Sequence, residues 1–192
     1  MAPYLAPIDR PKGLRLKLLY WFLGRRFGTP PGWLTVWSSR MPLTYTSWMG
    51  KVYQLNKKLS LPQDTMALIR ARVDALNMCT WCMDAGRWYV LTTATHLVPK
   101  LDAINDYQAS PLFSEAERAA LDFATELTEH KNVGPGTFAA LSRFYSEREI
   151  CEINWVVSTN NLFNLNNLWL GISSDGLCEL SQRRDEPASS RP

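Results

Sequence analysis

Cysteine and histidine are scarce, with four and two among 192 residues. That excludes a disulfide-dense mini-protein. A chain of this length buries roughly 70% of the surface its unfolded form exposes, so it folds without staples. Long apolar runs are missing too. The nearest, Leu14 to Leu23, is interrupted by Arg15 and Lys17 and closed by Arg25-Arg26. It is too short and too charged to span a bilayer, and it does not resemble a secretory leader. No useful stretch alternates polar with apolar residues, so no sheet is expected. A hydrophobic fraction of 46% and a charged fraction of 20% exclude a wholly disordered or collagen-like chain.

Acidic residues are almost absent from the first third. Residues 1–60 carry ten Lys/Arg and one acid, Asp9, while residues 61–192 carry eleven Lys/Arg and seventeen Asp/Glu. A basic front on an acidic body fits a nucleic-acid or membrane contact, or attraction between the two halves within one chain or between chains. The last is the expectation here, with the basic part packing across subunits and no nucleic acid involved.

Helical signals organise the rest. Pro30-Pro31-Gly32 breaks a first amphipathic helix, and Pro42 marks a boundary. Ser60-Leu61-Pro62-Gln63 has the pattern of a capping box, followed by Met66, Ile69, Val73 and Leu76 on one helix face. Ser114 with Glu117 and Ser146 with Glu149 are two more capping boxes. The second precedes the stripe Ala120, Leu121, Ala124 and Leu127, and the third opens a long helix reaching about Ile172. The expected fold is all-α. A basic N-terminal helical extension (1–41) precedes one helical domain (42–180), and a polar tail (181–192) is expected to be disordered.

The chemistry centres on Asn77-Met78-Cys79-Thr80-Trp81-Cys82-Met83-Asp84. Two cysteines three apart at a helix start can close a disulfide with little backbone movement. The helix N-terminus stabilises a thiolate, which makes one sulfur a nucleophile and leaves the other to resolve its product. Two inert buried cysteines, or a zinc site completed by Cys151 and Cys178, are the alternatives; these last two form no second C-x-x-C. His96 lies fourteen residues after Cys82, roughly 21 Å along a straight helix and too far for a proton relay. His130 reads as a helix C-terminal residue favoured by the dipole. The long last helix holds Asn154, Asn160, Asn161, Asn164, Asn166 and Asn167 among bulky apolar residues. Asn is a poor helix former, so a buried polar network or a ligand contact is expected there.

Three blocks in this order resemble the carboxymuconolactone decarboxylase-like, or alkylhydroperoxidase D-like, superfamily: Ile69 to Asp84, Phe113 to Leu121, and Tyr145 to Ile153 running on to Asn164. They lie within residues 42–172. The resemblance implies an all-helical, homo-oligomeric protein (dimer, trimer or hexamer) acting on a small peroxide or disulfide with a thiol reductant. It implies Cys82 as the peroxidatic thiol and Cys79 as the resolving one. Redox-active members carry a His four residues after the second Cys and a Glu twelve before the first; here those positions are Gly86 and Ala67. Glu149, Glu152 and Asp84 are the candidates to support proton transfer in their place. The lactone decarboxylases generally lack the C-x-x-C.

The function expected is therefore a peroxiredoxin-like, antioxidant thiol peroxidase or disulfide oxidoreductase. It is expected to need no cofactor and no metal, and to work in the cytoplasm. A non-catalytic or redox-responsive oligomer, and a small-molecule-binding or non-redox enzyme, stay open beside it.

Overall fold

A computed structural model describes residues 3–179, with the backbone alone at 44–46. Along the described residues follow the helices α1 (Leu14–Phe27), α2 (Gly32–Val36), α3 (Pro42–Asn56), α4 (Gln63–Leu76), α5 (Thr80–Thr93), α6 (Val98–Asp102), α7 (Glu115–His130), α8 (Pro135–Leu141) and α9 (Glu147–Trp169), and residues 177–179 are helical too. Short 3-10 turns join α2 to α3, α5 to α6, and α6 to the loop before α7. Among the described residues there is no strand, and no helix is long and apolar enough to cross a membrane. The tail expected to be disordered lies outside the described residues.

Helix α4 is the centre of the bundle, packed between α7 and α9. Its stripe Met66, Ile69 and Val73 is fully buried against Ala119, Ala120, Phe123 and Ala124 of α7 and Ile153, Val156 and Val157 of α9. The alanines let the α7 and α4 backbones approach closely, and the larger α9 side chains fill the remaining volume. A second cluster, Leu68 with Leu121, Ile104, Tyr107 and Phe113, holds the 104–113 loop to the other side of α4.

The capping boxes at Ser114 and Ser146 form with both reciprocal bonds. The one expected at Ser60 does not. Helix α4 starts at Gln63 with no side-chain cap, because Ser60 is claimed from across the bundle. Glu152 Oε2 accepts from Ser60 N at 2.7 Å, Ser60 Oγ at 2.8 Å and Leu61 N at 3.1 Å. A carboxylate gathering three donors outcompetes a local cap. Helix α9 also ends slightly earlier than expected, at Trp169.

Residues 3–40 lie on the C-terminal end of α9 within the same chain. Val36 and Trp37 join Leu170 and Ile172 in one buried cluster, edged by Trp33, Met49 and Trp81. Tyr4 N donates to Leu170 O at 3.0 Å, and Gly32 N donates to Asp175 Oδ2 at 3.1 Å. Helix α1 packs through Leu16 and Tyr20 on Leu34 and leaves Trp21 and Phe22 exposed.

Candidate functional site

The joint between α4 and α5 is three residues long and places the cysteine pair. Asn77 closes α4 in helical conformation, Met78 turns left-handed at φ 53°, and Cys79 is extended as the N-cap of α5. A non-glycine residue in that region costs roughly 1 kcal/mol, and strain of this kind gathers at functional sites. The turn brings Cys79 N to Asp74 O at 3.1 Å and puts Cys82 in the first turn of α5. Cys79 and Cys82 are joined as a disulfide, with Cα atoms 5.2 Å apart. Both are buried, Cys79 to 1% and Cys82 to 8% exposure.

The wall over this pair is built by α9 and the N-terminal segment. Asn167 Nδ2 donates to Cys82 Sγ at 3.5 Å, and Trp37 Nε1 donates to Asn167 Oδ1 at 3.1 Å. The indole has only an N–H to offer, so it fixes which end of the amide points at sulfur. Trp81, between the two cysteines in sequence, donates to Asp175 Oδ2 at 2.5 Å and meets Trp33 edge-on with ring centroids 6.4 Å apart. On the far side of Asp175 a cavity of about 460 Å³ opens among Tyr20, Pro30, Gly32, Thr35 and Ile172; neither cysteine lines it.

One turn back along α9 lies a second polar cluster. Asn160 Nδ2 and Asn164 Nδ2 each donate to Asp74 Oδ1 at 2.7 Å. Asn77 Nδ2 donates to Asn164 Oδ1 at 3.0 Å and Asn161 Oδ1 at 2.8 Å, and Asn161 reaches Thr128 of α7 at 3.1 Å. Three asparagines of α9, Asn160, Asn161 and Asn164, thus form the buried network that their abundance called for; Asn154 is exposed. Burial drives the Asp74 carboxyl up to about 6, against the opposing pull of the two amide donors and the Arg70 guanidinium. The same burial lowers the pKa of Arg70.

The three acids proposed from sequence are engaged elsewhere. Glu149 closes the capping box with Ser146, whose backbone and hydroxyl donors hold its carboxyl below the usual range. Glu152 anchors Ser60 and Leu61; burial opposes its ionisation, but Arg148, Ser60 and Leu61 together outweigh it and its pKa falls. Asp84 also resists burial through its donors, accepting from Ser174 Oγ at 2.6 Å, Leu177 N at 2.8 Å and Cys178 N at 3.0 Å. It ties α5 to the C-terminal segment. The Cys178 thiol, half-buried beside Asp84, is pushed up to about 12 and stays protonated at neutral pH. Cys151 is exposed. Arg87 pairs with Asp102 at 2.5 Å, and His96 with Asp64 at 2.7 Å. Among the described residues no group of three His, Cys, Asp or Glu side chains could hold a metal ion.

Asp74 is the residue that sequence reasoning missed. It stands one position after Val73 of the buried α4 stripe, five before Cys79. An acid beside that stripe, together with an asparagine-rich partner helix, was the available signal.

No family model matches the chain. The sequence is 29% identical over 155 residues to YnjA, an uncharacterized protein of Escherichia coli K12, covering 77% of this chain and 82% of that protein. In three dimensions the chain is similar to the debrominase Bmp8, solved as a cysteine-to-alanine variant with 2,3,4-tribromopyrrole (TM-score 0.76, 21% identity, 97% of this chain and 99% of the other). It is also similar to an uncharacterized peroxidase-related protein of Ralstonia eutropha JMP134 with an alkylhydroperoxidase AhpD core (TM-score 0.69, 16% identity, 90% and 95%). The fold is all-helical, as the resemblance of the sequence blocks implied, and is similar to that of AhpD-core proteins.

Proposed function

We propose that this protein is a thiol–disulfide redox enzyme. Reduced Cys82 attacks a small electrophile, a hydroperoxide or a disulfide, and Cys79 resolves the product into the Cys79–Cys82 bond. A thiol reductant then restores both thiols. The observation that carries this reading is the pair itself. Cys79 ends a strained three-residue joint and Cys82 sits in the first turn of the helix it caps, the two already bonded to each other, with an oriented amide donating to Cys82. Of the two cysteines Cys82 is the less deeply buried, 8% against 1% exposed, which favours it as the attacking one. The same reading takes the protein to be a homo-oligomer of the cytoplasm, where thiol reductants are abundant.

A second reading follows from the likeness to a debrominase over 97% of the chain, N-terminal segment included. Reductive removal of bromine from an aromatic ring uses the same two electrons. Two thiols and the carbon–halogen bond become a disulfide, a carbon–hydrogen bond and hydrogen halide. The experiment that separates the readings starts from reduced protein offered hydrogen peroxide, cumene hydroperoxide or 2,3,4-tribromopyrrole. Thiol loss and bromide release are followed in each case. Rapid loss of two thiols with a hydroperoxide supports the peroxidase, and stoichiometric bromide supports the dehalogenase. If Cys82→Ser retains full activity with every substrate, Cys82 is not the nucleophile.

A further inference from the structure

Gly86 stands where redox-active relatives by resemblance carry histidine, and its missing side chain leaves a space. Cys82 and Gly86 are one turn apart on the same face of α5, a Cβ separation of about 5–6 Å for such a pair. A Cβ placed on Gly86 would meet Asp74 Oδ2 at 3.6 Å. The opposite oxygen, Oδ1, is taken by Asn160 and Asn164, whereas Oδ2 accepts no hydrogen bond from the described residues. Gly86 is half-buried, so this face of α5 is partly exposed to solvent. Along α9 the order is the same: Asn164 contacts Asp74, and Asn167, three residues on, contacts Cys82.

We infer that the hydroperoxide binds over Gly86, between Cys82 Sγ and Asp74 Oδ2, and that Asp74 is the proton-transfer residue of the reaction. This rests on the peroxidase reading above. Asp74 carboxylate takes the Cys82 thiol proton, relayed through the bound hydroperoxide. The Cys82 thiolate attacks the terminal oxygen of ROOH; the S–O bond forms and the O–O bond breaks. Its electron pair goes to the leaving RO⁻, which receives the proton from Asp74 and departs as ROH. Cys82 is then a sulfenic acid. The Cys79 sulfur attacks it, the S–S bond forms, and hydroxide leaves as water with the Cys79 proton. One hydroperoxide is reduced by two electrons as the dithiol is oxidised, and Asp74 ends as it began.

The surroundings of Asp74 suit that role. The charged group facing it is Arg70 on its own helix, with the Tyr89 hydroxyl of α5 beside that guanidinium. α9 presents only neutral amides, and α7 reaches the network through the Thr128 hydroxyl. A carboxyl so placed titrates near 6 and so exchanges a proton readily near neutral pH.

The test is the rate at which the reduced protein reacts with hydrogen peroxide between pH 4.5 and 8, read from tryptophan fluorescence and thiol count. The unaltered protein is expected to show a rise with an inflection near pH 6. Asp74→Asn is expected to lose that inflection and to slow the reaction about 100-fold. Gly86→Ala leaves Asp74 in place and favours the helix. Its methyl fills the space and desolvates Oδ2, so a drop of at least about tenfold with the inflection moved to higher pH is expected. Asp74→Asn with an unchanged rate and profile overturns the inference. So does Gly86→Ala indistinguishable from the unaltered protein, and that variant decides alone where Asp74→Asn does not fold. Cys82→Ser run alongside keeps the two ideas apart: if it reacts normally the peroxidase reading itself falls, and if it is dead only the role of Asp74 is at stake.

Discussion

Asp74 and Glu152 are both shielded from solvent, 4% and 6% exposed, but Asp74 lies deep in the bundle and Glu152 close to its surface, and they are pushed in opposite directions. Glu152 is surrounded by donors that suit a charge: two backbone N–H groups, a hydroxyl and the Arg148 guanidinium. Asp74 has two neutral amides on one oxygen and an open space at the other. What separates an anchor from a group that exchanges protons here is depth together with whether both oxygens are spent. Their pH behaviour follows. Glu152, with its pKa depressed, contributes stability at neutral pH that is lost in acid. Asp74 keeps its proton to higher pH when folded than when unfolded, so its contribution is whole below about pH 4 and lost as pH rises through about 6.

The largest effect is expected from Glu152→Gln. The amide can keep its oxygen toward Ser60 and Leu61, but it loses the charge those three donors surround and turns its N–H₂ toward the Arg148 guanidinium, which costs about 3 kcal/mol. Urea unfolding at pH 7 measures it. The peroxide rate per folded molecule is expected to stay the same, and a large fall would return Glu152 to the relay that its sequence position suggested.

Asp74→Asn is expected to do the reverse. The substitution removes a carboxylate that must ionise in a buried site, so the folded state gains about 2 kcal/mol at pH 7, trimmed by the loss of Arg70's partner. The gain is expected to vanish near pH 4, where Asp74 already holds its proton. A variant less stable at pH 7 than at pH 4, relative to the unaltered protein, contradicts the raised pKa. Stability gained as chemistry is lost is the usual mark of an active-site group.

Asn160→Ala probes how the Asp74 proton is tuned. It removes one of two donors to Oδ1 and the link to Arg70 O at 3.3 Å. About 1 kcal/mol is expected at pH 7, with a smaller loss at pH 4, and the inflection in the peroxide profile moves up. Equal losses at both pH values show that the amide supports the fold without stabilising the charge.

The two carboxylates also mark how far the sequence could be read. Helices α7 and α9 were legible because their caps are local: Ser114 and Ser146 find partners three residues away. The buried face of α4 was legible because a 3.6-residue period survives in sequence. Ser60 misled, since its partner Glu152 is ninety-two residues distant and nothing local records it. The α9 asparagines announced a buried polar network, but its acid, Asp74, lies 86 and 90 residues from its two donors. Gly86 read as a lost histidine; the opening it leaves toward Asp74 exists only once α4 and α5 are folded side by side.

Arg148→Ala is expected to have the smallest effect and to show what holds Glu152. The guanidinium is 74% exposed while its partner is 8% exposed, and they meet four residues apart on α9 at 3.0 Å. An exposed cation held by a flexible chain contributes about 0.5 kcal/mol or less, screened further by salt. The backbone donors of Ser60 and Leu61 are fixed, so the carboxylate stays ionised without the arginine. Urea unfolding at low and high salt measures the difference. A loss matching that of Glu152→Gln would make Glu152 one half of an ion pair, and its contrast with Asp74 would come down to a nearby charge. A small, salt-sensitive loss leaves the contrast where the geometry puts it, in the donors each oxygen meets.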